Sequence, residues 1–197
     1  MKQESKYNAI IPLSGGIDSC AVAYYWLKDH PNERALLLHI HLVNEESKDR
    51  YKLEHKACEK IISYYDQEGL NNFDYKEATL DYQSAGEIPP VWDIEAVNFL
   101  VGTYMRGNKI ATYIKATNKD DFAQEDFQDR LDNSMRILEN VVYPDIENIK
   151  VLYPQNEMTK QEIIASLPNT LVQCCWYCRT PKAGLPCGVC DACISIH

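Results

Sequence analysis

Short apolar runs alternate with longer segments of helical periodicity, and this alternation constrains the fold more than any other feature of the chain. The runs predict five strands, at residues 7–13, 34–43, 73–80, 109–117 and 149–154. Helices are predicted between and after them, at residues 18–30, 48–69, 93–108, 118–140 and 158–167, the fourth of which begins as a charged loop. Strands that alternate with helices form α/β folds. We therefore expect an open, mostly parallel five-stranded sheet with helices on both faces.

The length and charge of the chain bound its class. Its 197 residues predict a single domain over residues 1–197, with residues 170–197 as a small tail. The formal net charge of −9 makes nucleic acid an unfavourable partner, because its phosphates repel an acidic surface. No run approaches the ~20 apolar residues of a membrane span, and the polar first residues lack a signal-peptide pattern. We expect a cytoplasmic protein with no membrane partner.

The sequence SGGIDS, at residues 14–19, follows the first predicted strand directly and leads into the first helix. Such turns lie at the carboxyl ends of the strands, where open α/β sheets bind ligands. Glycines let the backbone approach a ligand, serines add hydroxyls, and the N-terminus of the helix is positive, so the turn suits a phosphate. The Walker loop is excluded because no lysine follows the glycines, and the dinucleotide fingerprint is absent. An ordinary strand-to-helix turn remains the alternative.

Six of the eight cysteines fall within residues 174–193. Clustered thiols in a reducing compartment indicate a metal before they indicate disulfides. The C-x2-C-x2-C run and one cysteine nine residues before it predict a tetrahedral zinc site, with an iron–sulfur cluster as the rival. The predicted ligands are Cys178, Cys187, Cys190 and Cys193. A contribution from Cys174 or Cys175 stays open, because Cys175 and Cys178 also have the spacing of a ligand pair.

The SGGIDS turn resembles the S-G-G-x-D-S loop of the PP-loop ATP pyrophosphatase superfamily. These enzymes split ATP between its α and β phosphates and adenylate an acceptor. The resemblance implies an adenine nucleotide alpha hydrolase-like fold, with ATP and Mg²⁺ as cofactors beside the predicted Zn²⁺. It implies that the pyrophosphate portion of ATP is held by Ser14, Gly15, Gly16 and Ser19. Asp18 would then act near the magnesium, because a carboxylate facing a bare triphosphate would only repel it.

Together with the turn, the C-terminal pattern W-Y-C-(x8)-C-G-V-C-D-A-C resembles the 7-cyano-7-deazaguanine synthase (QueC) family. The segment MTKQEII resembles the family's T-K-x-E-I, which implies that Lys160 lies near the phosphates. RYKLE, at residues 50–54, resembles R-H-x-x-E with tyrosine in place of histidine. VNFLV stands where the family has R-N-x-x-F, with Val97 in place of the arginine, and DDFAQEDFQDR resembles a D-[FY]-S-G-Y-P-D-C-R loop. The residues that these matches imply for substrate binding are Asn98, Asp121 and Arg130.

The family resemblance implies a reaction in two ATP-dependent stages. The carboxylate of 7-carboxy-7-deazaguanine is adenylated and ammonia attacks it, which gives an amide. The amide is activated again and loses AMP, which gives the nitrile 7-cyano-7-deazaguanine (preQ0). Asp18 and Lys160 are the residues implied for catalysis, and the family's habit implies a homodimer.

Three other functions stay open. QueC-like ligases of bacterial antiviral operons join the deazaguanine carboxylate to a protein amine as an amide. Other PP-loop enzymes modify tRNA, although the acidic charge disfavours that partner. The third is a zinc-stabilised protein that binds ATP without turnover.

His39 and His41 stand two residues apart on the second predicted strand and therefore share one face of it. That face is either the ligand side of the sheet or part of the packed core, where a hydrogen-bonded histidine has only a structural role. The sequence leaves both interpretations open.

Overall fold

The computed structural model describes residues 5–43, 49–81, 83 and 93–194. Five strands form one sheet in the order β3-β2-β1-β4-β5, and every neighbouring pair is parallel. The strands are β1 Ala9–Pro12, β2 Ala35–Val43, β3 Phe73–Asp81, β4 Thr112–Ile114 and β5 Lys150–Leu152. The predicted α/β class and five-stranded parallel sheet are confirmed, although β4 and β5 are shorter than the sequence predicted.

The predicted helices are present, except that the fourth is divided after residue 122. In the described residues the helices are α1 Ile17–Asp29, α2 Arg50–Gln67, α3 Asp93–Asn108, α4 Lys119–Phe122, α5 Phe127–Val142, α6 Lys160–Ser166, α7 Asn169–Val172 and α8 Asp191–Ile194. The two short helices of the tail, α7 and α8, were not predicted. The segment predicted as a charged loop leading into one helix contains two helices. The first begins early because the Asn118 side chain accepts hydrogen bonds from the backbone N–H groups of Asp120 and Asp121, which completes a capping box.

Helices cover both faces of the sheet, as the sequence predicted. Successive strand residues point to opposite faces. Ile11 and Leu37 therefore pack with α1, α2 and α6 in one apolar cluster. Ile10 and Leu36 pack with α3 and α5 in the other. In the described part of the chain, no helix combines the length and apolar character that crossing a membrane requires.

The candidate sites lie at the carboxyl ends of the parallel strands. β1 stops at Pro12, which pairs with Leu38 of β2. The ladder between β2 and β3 runs further, so residues 39–43 and 77–81 extend beyond the end of β1. The step between the short and long strands opens space above the turn that follows β1. Open α/β sheets bind ligands in such crevices.

Candidate functional site

The turn after β1 requires glycine at its second position. Gly15 has a φ of +82°, a conformation that other residues adopt only with strain. A Cβ atom built on it would lie 2.6 Å from the backbone oxygen of Glu54 in α2. The turn therefore rests directly on α2, and only a residue without a side chain fits there.

The two serines of the turn have different surroundings. Ser19 is 5% exposed, and its hydroxyl accepts a hydrogen bond from the Ser14 N–H at 3.1 Å and donates one to the Gly16 carbonyl at 3.0 Å. Ser14 is exposed, and its hydroxyl lies 2.9 Å from that of Ser19. Ser19 thus fixes the conformation of the turn, while Ser14 lines a cleft that lies above the turn.

Helix α1 presents an uncapped N-terminus to this cleft. Gly16 occupies the N-cap position, and no side chain accepts a hydrogen bond from the first turn. The first N–H groups of a helix have no partner within it, and they carry the positive end of its dipole. A thirteen-residue helix that begins directly after a glycine turn is suited to binding a phosphate there.

Three separate segments meet at Asp18, in the first turn of α1. Lys160, the first residue of α6, forms an ion pair with the Asp18 carboxylate. Asn118, in the loop after β4, donates its side-chain N–H to the other carboxylate oxygen at 3.3 Å. The side chains of the ion pair are about one-fifth exposed, at 21% and 22%, so the pair remains accessible to a ligand.

The cleft above the turn is small and locally positive. Its volume is about 140 Å³, well below the roughly 300–1,000 Å³ of pockets that enclose a drug-sized ligand. This size suits a pyrophosphate group rather than a whole nucleotide. Five charged side chains line it, three cationic and two anionic: Arg50, Lys160, Arg179, Asp18 and Glu54. The net charge of the lining is opposite to that of the whole chain, so an anion is attracted locally.

Arg50 and Glu54 form a partly buried ion pair one helical turn apart on α2. The Arg50 Nε lies 2.7 Å from a Glu54 oxygen, and its Nη2 lies 2.8 Å from an oxygen of Asp93. Burial opposes the charge on Arg50, but the two carboxylates outweigh it and raise the pKa of the guanidinium. Burial raises the pKa of Glu54, and Arg50 opposes that shift. The pair places a fixed cation on the wall of the cleft.

The C-terminal tail forms the opposite wall. The backbone N–H of Trp176 donates to the Gly15 carbonyl at 2.8 Å, which fixes the tail to the SGGIDS turn, called the phosphate turn from here on. Tyr177, Arg179 and Ala192 then line the cleft. The cysteine cluster therefore holds residues of the cleft in place rather than standing apart from it.

The structure brings the four cysteines predicted as ligands together. The sulfurs of Cys178, Cys187, Cys190 and Cys193 all lie within 4.8 Å of one another. Those of Cys187 and Cys193 are 3.8 Å apart. Tetrahedral ligands at a Zn–S distance of about 2.3 Å lie about 3.8 Å apart, so the arrangement fits a single metal ion.

Backbone N–H groups and a hydroxyl point at the Cys187 sulfur. Thr180 Oγ1 lies 3.3 Å from it, and the N–H groups of Val189 and Cys190 lie at 3.5 and 3.3 Å. These hydrogen bonds, that of Thr180 first, lower the pKa of Cys187 to about 5. They favour the thiolate, which is the form that binds metals.

Cys174 and Cys175 lie outside the four-cysteine cluster. Their thiols donate to the carbonyls of Thr170 and Leu171, at 3.3 and 3.5 Å. The structure thus leaves both out of the candidate metal centre, a question that the spacing alone left open.

Asn98, implied by the resemblance to bind substrate, is fully buried between α3 and α5. Its amide donates to Ser134 Oγ at 3.0 Å, and its oxygen accepts from the Tyr113 hydroxyl at 3.1 Å. Lys115 Nζ lies 3.5 Å from the same oxygen. The amide is therefore occupied by its neighbours, and in this conformation it holds the core together.

Asp121 and Arg130 lie on the elements that follow β4. Asp121 accepts a hydrogen bond from the N–H of Asn118, which also donates to Asp18, so a single residue links the two carboxylates. Burial raises the pKa of Asp121, and the charge of Asp18 adds to the effect. Arg130 lies in the first turn of α5 and does not line the cleft above the phosphate turn. Substrate binding by these residues stays a prediction.

Several residues at the site were not predicted from the sequence. Asn118 is the N-cap of α4, a role signalled by an asparagine placed before two aspartates. Lys115 follows β4 and is 5% exposed, and burial lowers its pKa to about 8. Arg179 stands directly after the first cysteine ligand. Nothing in the local pattern predicts that its side chain reaches the cleft.

Comparisons with known proteins agree with this architecture. No family model and no curated protein sequence matches the chain. The structure matches the U34-tRNA thiolase NcsA from Methanococcus maripaludis, solved with its [4Fe-4S] cluster, with a TM-score of 0.60 and 14% identity. The match covers 91% of this chain and 60% of that one. The chain therefore has the same α/β fold as NcsA.

The match to NcsA confirms the fold that the resemblance of the SGGIDS turn implied. A second match is NMN synthetase from Francisella tularensis, with a TM-score of 0.49 and 16% identity, over 95% of this chain and 71% of that one. The chain spans about three-fifths of the length of NcsA. Its own substrate therefore has to be argued from its own residues.

Proposed function

We propose that the chain is an ATP-dependent carbon–nitrogen ligase of the QueC type. It adenylates the carboxylate of 7-carboxy-7-deazaguanine and passes the activated carbon to ammonia. A second activation converts the amide to the nitrile 7-cyano-7-deazaguanine, and each stage releases AMP and pyrophosphate.

The observation that carries the ATP half of this proposal is the meeting of Lys160 and Asp18 at the uncapped N-terminus of α1. A lysine at this point supplies positive charge where a pyrophosphate would lie. Asp18 supplies an oxygen ligand of the kind that Mg²⁺ prefers. The glycine turn beside them lets the backbone approach the phosphates closely.

The chemistry of adenylation explains why a positively charged phosphate site is needed. A carboxylate is a poor electrophile, because it carries a charge and has no good leaving group. In the first stage its oxygen attacks the α-phosphorus of ATP, and the bond to the pyrophosphate breaks. The N–H groups of α1, with Lys160 and Arg179, stabilise the charge that develops on the departing pyrophosphate. Magnesium, when bound at Asp18, would neutralise part of the same charge.

The second half of the reaction makes greater demands on the pocket. Ammonia displaces AMP from the acyl adenylate and loses a proton, which gives the amide. The amide oxygen then attacks the α-phosphorus of a second ATP and displaces pyrophosphate, and loss of AMP and of both amide N–H protons leaves the nitrile. The site must exclude water from both adenylates. Trp176 and Tyr177, held over the turn by the tail, are placed to cover the cleft.

For the tail we propose zinc. Two of its sulfurs stand 3.8 Å apart, and all four lie within 4.8 Å of one another, as one tetrahedral ion requires. A four-iron cluster binds each thiolate to a different iron and so spreads the sulfurs further apart. The iron–sulfur cluster with which NcsA was solved makes iron the competing assignment. Elemental analysis and the visible absorption of iron–sulfur clusters separate the two.

A second candidate function is an amide-forming ligase that uses a protein amine. The QueC family has an arginine where this chain has Val97, and Val97 packs against the apolar cluster of α3 and α5. Arginine grips planar groups by paired hydrogen bonds, which valine cannot make. Asn98, the next residue, is fully buried. A pocket that contacts the deazaguanine base with neither the arginine nor Asn98 favours early release of the amide product or entry of a larger amine.

One experiment compares the functions. The protein is given ATP, magnesium and 7-carboxy-7-deazaguanine, with ammonia in one reaction and a lysine-containing peptide in another, and product masses are recorded. A nitrile from ammonia supports the synthase. A peptide that gains the deazaguanine acyl mass, without a nitrile from ammonia, replaces the synthase by the ligase. Binding of ATP with no pyrophosphate release in either reaction replaces both by a binding protein.

A further inference from the structure

Three of the five histidines of the chain meet at the edge of the sheet beside the phosphate turn. His39 and His41 come from the part of β2 that extends beyond β1, and His55 comes from the first half of α2. One ring nitrogen from each lies within 4.8 Å of the others. The cluster is separate from the four cysteines and plays no part in the proposed reaction.

His39 is prepared as a ligand by its surroundings. It is fully buried, and its Nδ1 lies 2.9 Å from the Leu13 carbonyl, so Nδ1 carries the hydrogen and donates it. The lone pair is left on Nε2, which is buried and has no hydrogen-bond partner among the described residues. Metal-binding histidines characteristically donate their other N–H to a carbonyl or carboxylate in this way.

Glu77 fixes the two outer histidines. It pairs with His39 across the ladder between β2 and β3. One of its oxygens lies 3.3 Å from His41 Nε2, and the other lies 3.3 Å from His55 Nδ1. A carboxylate beside several imidazoles supplies negative charge close to where a cation would lie.

Simple core packing explains this arrangement poorly. Buried polar atoms are nearly always hydrogen-bonded, and an unpaired one destabilises the folded state. The His39 ring centroid is 4.5 Å from that of His41, which in turn is 5.0 Å from that of His55. Three imidazoles crowded together, one with a buried nitrogen that has no partner among the described residues, favour a cation-binding site over a satisfied core.

We propose that His39, His41 and His55 form a second metal site, which binds a divalent transition metal of the zinc class. Imidazole nitrogens suit zinc, copper and nickel, whereas magnesium and calcium prefer oxygen. Tetrahedral nitrogen ligands at about 2.05 Å from zinc stand about 3.3 Å apart, so the site closes slightly on binding. The partly exposed rings of His41 and His55 provide that movement, and the Glu77 carboxylate beside both of them supplies negative charge near the ion.

A metal bound at this site would stabilise the phosphate turn. The Leu13 carbonyl that accepts from His39 belongs to the residue immediately before Ser14. Helix α2 carries His55, and two residues later Ala57 lies against Gly15. A metal that joins β2 to α2 therefore fixes the two elements on which the turn rests. This role holds whatever substrate the enzyme uses.

The test counts zinc per chain after saturation and removal of excess metal, in the full-length protein and its variants. The wild type is expected to hold about two zinc ions, and His41→Gln, His55→Gln and Cys187→Ser about one each. His30→Gln is the matched control, because His30 stacks on Trp26 at the other end of α1 and should leave the count unchanged. His39 is left intact, since its burial would confuse loss of metal with misfolding.

Cobalt identifies the ligands of the second ion. Bound to Cys187→Ser, cobalt should give visible bands without the intense absorption that thiolate ligands produce, and His55→Gln in the same background should remove those bands. A melting curve of Cys187→Ser should shift upward when zinc is added and should not shift once His55 is also replaced. Equal zinc counts in the wild type and both histidine variants, or cobalt bands unchanged by His55→Gln, would overturn the proposal.

Discussion

Lys160 donates a hydrogen bond to the carboxylate of Asp18, although 142 residues separate the two along the chain. The contact joins the first turn of α1 to the first residue of α6 across the cleft above the phosphate turn. Each side chain satisfies the charge of the other. In the proposed function, Asp18 would hold the magnesium and Lys160 would supply positive charge to the phosphates.

Replacing Asp18 by alanine should abolish turnover and leave the fold intact. Loss of one electrostatic stabiliser at a reacting phosphate typically costs at least ~100-fold in rate. The ion pair is partly exposed, so the free energy of unfolding should change by no more than about 1 kcal/mol. Pyrophosphate release at saturating ATP and a melting curve measure the two effects.

Asp29→Ala is the control for this variant, because Asp29 is exposed and lies at the C-terminus of the same helix, far from the cleft. Its rate should equal that of the wild type. Near-normal pyrophosphate release by Asp18→Ala would remove Asp18 from the mechanism.

The cysteine tail should lose its metal when Cys187 is replaced by serine. The variant should lack the zinc of the four-cysteine cluster, and pyrophosphate release should fall as well, because Tyr177 and Arg179 line the cleft from the same tail. Cys174→Ser should change neither property, since its thiol lies outside the cluster. Elemental analysis after gel filtration decides the point. Iron in place of zinc would contradict the assignment.

Asn98→Ala should destabilise the protein. The substitution leaves the buried hydroxyl of Tyr113 without its acceptor and Ser134 without its donor. A buried polar group left without a partner costs about 1–3 kcal/mol. Urea unfolding should show that loss, whereas Asn133→Ala, at an exposed position of α5, should not. If Asn98→Ala keeps full stability, the amide does not hold the core as the structure indicates.

Lys115 should make stability rise with pH in alkaline solution. Burial lowers its pKa from the 10.5 of an exposed lysine to about 8. Between these values the unfolded chain holds the proton and the folded chain does not, so raising the pH favours folding, by up to about 1.4 kcal/mol per pH unit. Below pH 8 both states hold the proton and the slope vanishes. Lys115→Met removes the charge and should melt higher at neutral pH.

The measured quantity is the difference in unfolding free energy between the wild type and Lys115→Met. It isolates Lys115 from the tyrosines and cysteines that titrate in the same range. A difference that stays constant from pH 8 to 10.5 would show that the lysine is solvated in the folded chain.

Local patterns predicted most of the fold. Periods of two and 3.6 residues identify strands and helices, and the capping box of Thr159 and Glu162 fixes the start of α6. The boundaries of β4 were overestimated. The predicted strand ran to residue 117, but the last bond to the neighbouring strand is the one from the Lys115 N–H to the Leu152 carbonyl, and the side chains of Lys115 and Asn118 reach Asn98 and Asp18.

The candidate site was predictable where one short motif contains it and less so where distant segments meet. The phosphate turn and the four cysteines are local patterns, and the structure brings each set together. The approach of Arg179 to the cleft depends on how the tail folds back on Gly15. The meeting of His55 with His39 depends on the packing of α2 on β2. Such tertiary contacts leave no signal in the spacing of residues.

Adenylation of a carboxylate, the reaction proposed for this chain, is tested by the products that it forms from ATP. The protein is incubated with ATP, magnesium and ammonia, with and without 7-carboxy-7-deazaguanine, and the nucleotides are separated. We expect AMP and pyrophosphate in equal amounts, formed only when the carboxylated base is present and lost in Asp18→Ala. Formation of ADP and phosphate, or of AMP at the same rate without the base, would rule this reaction out.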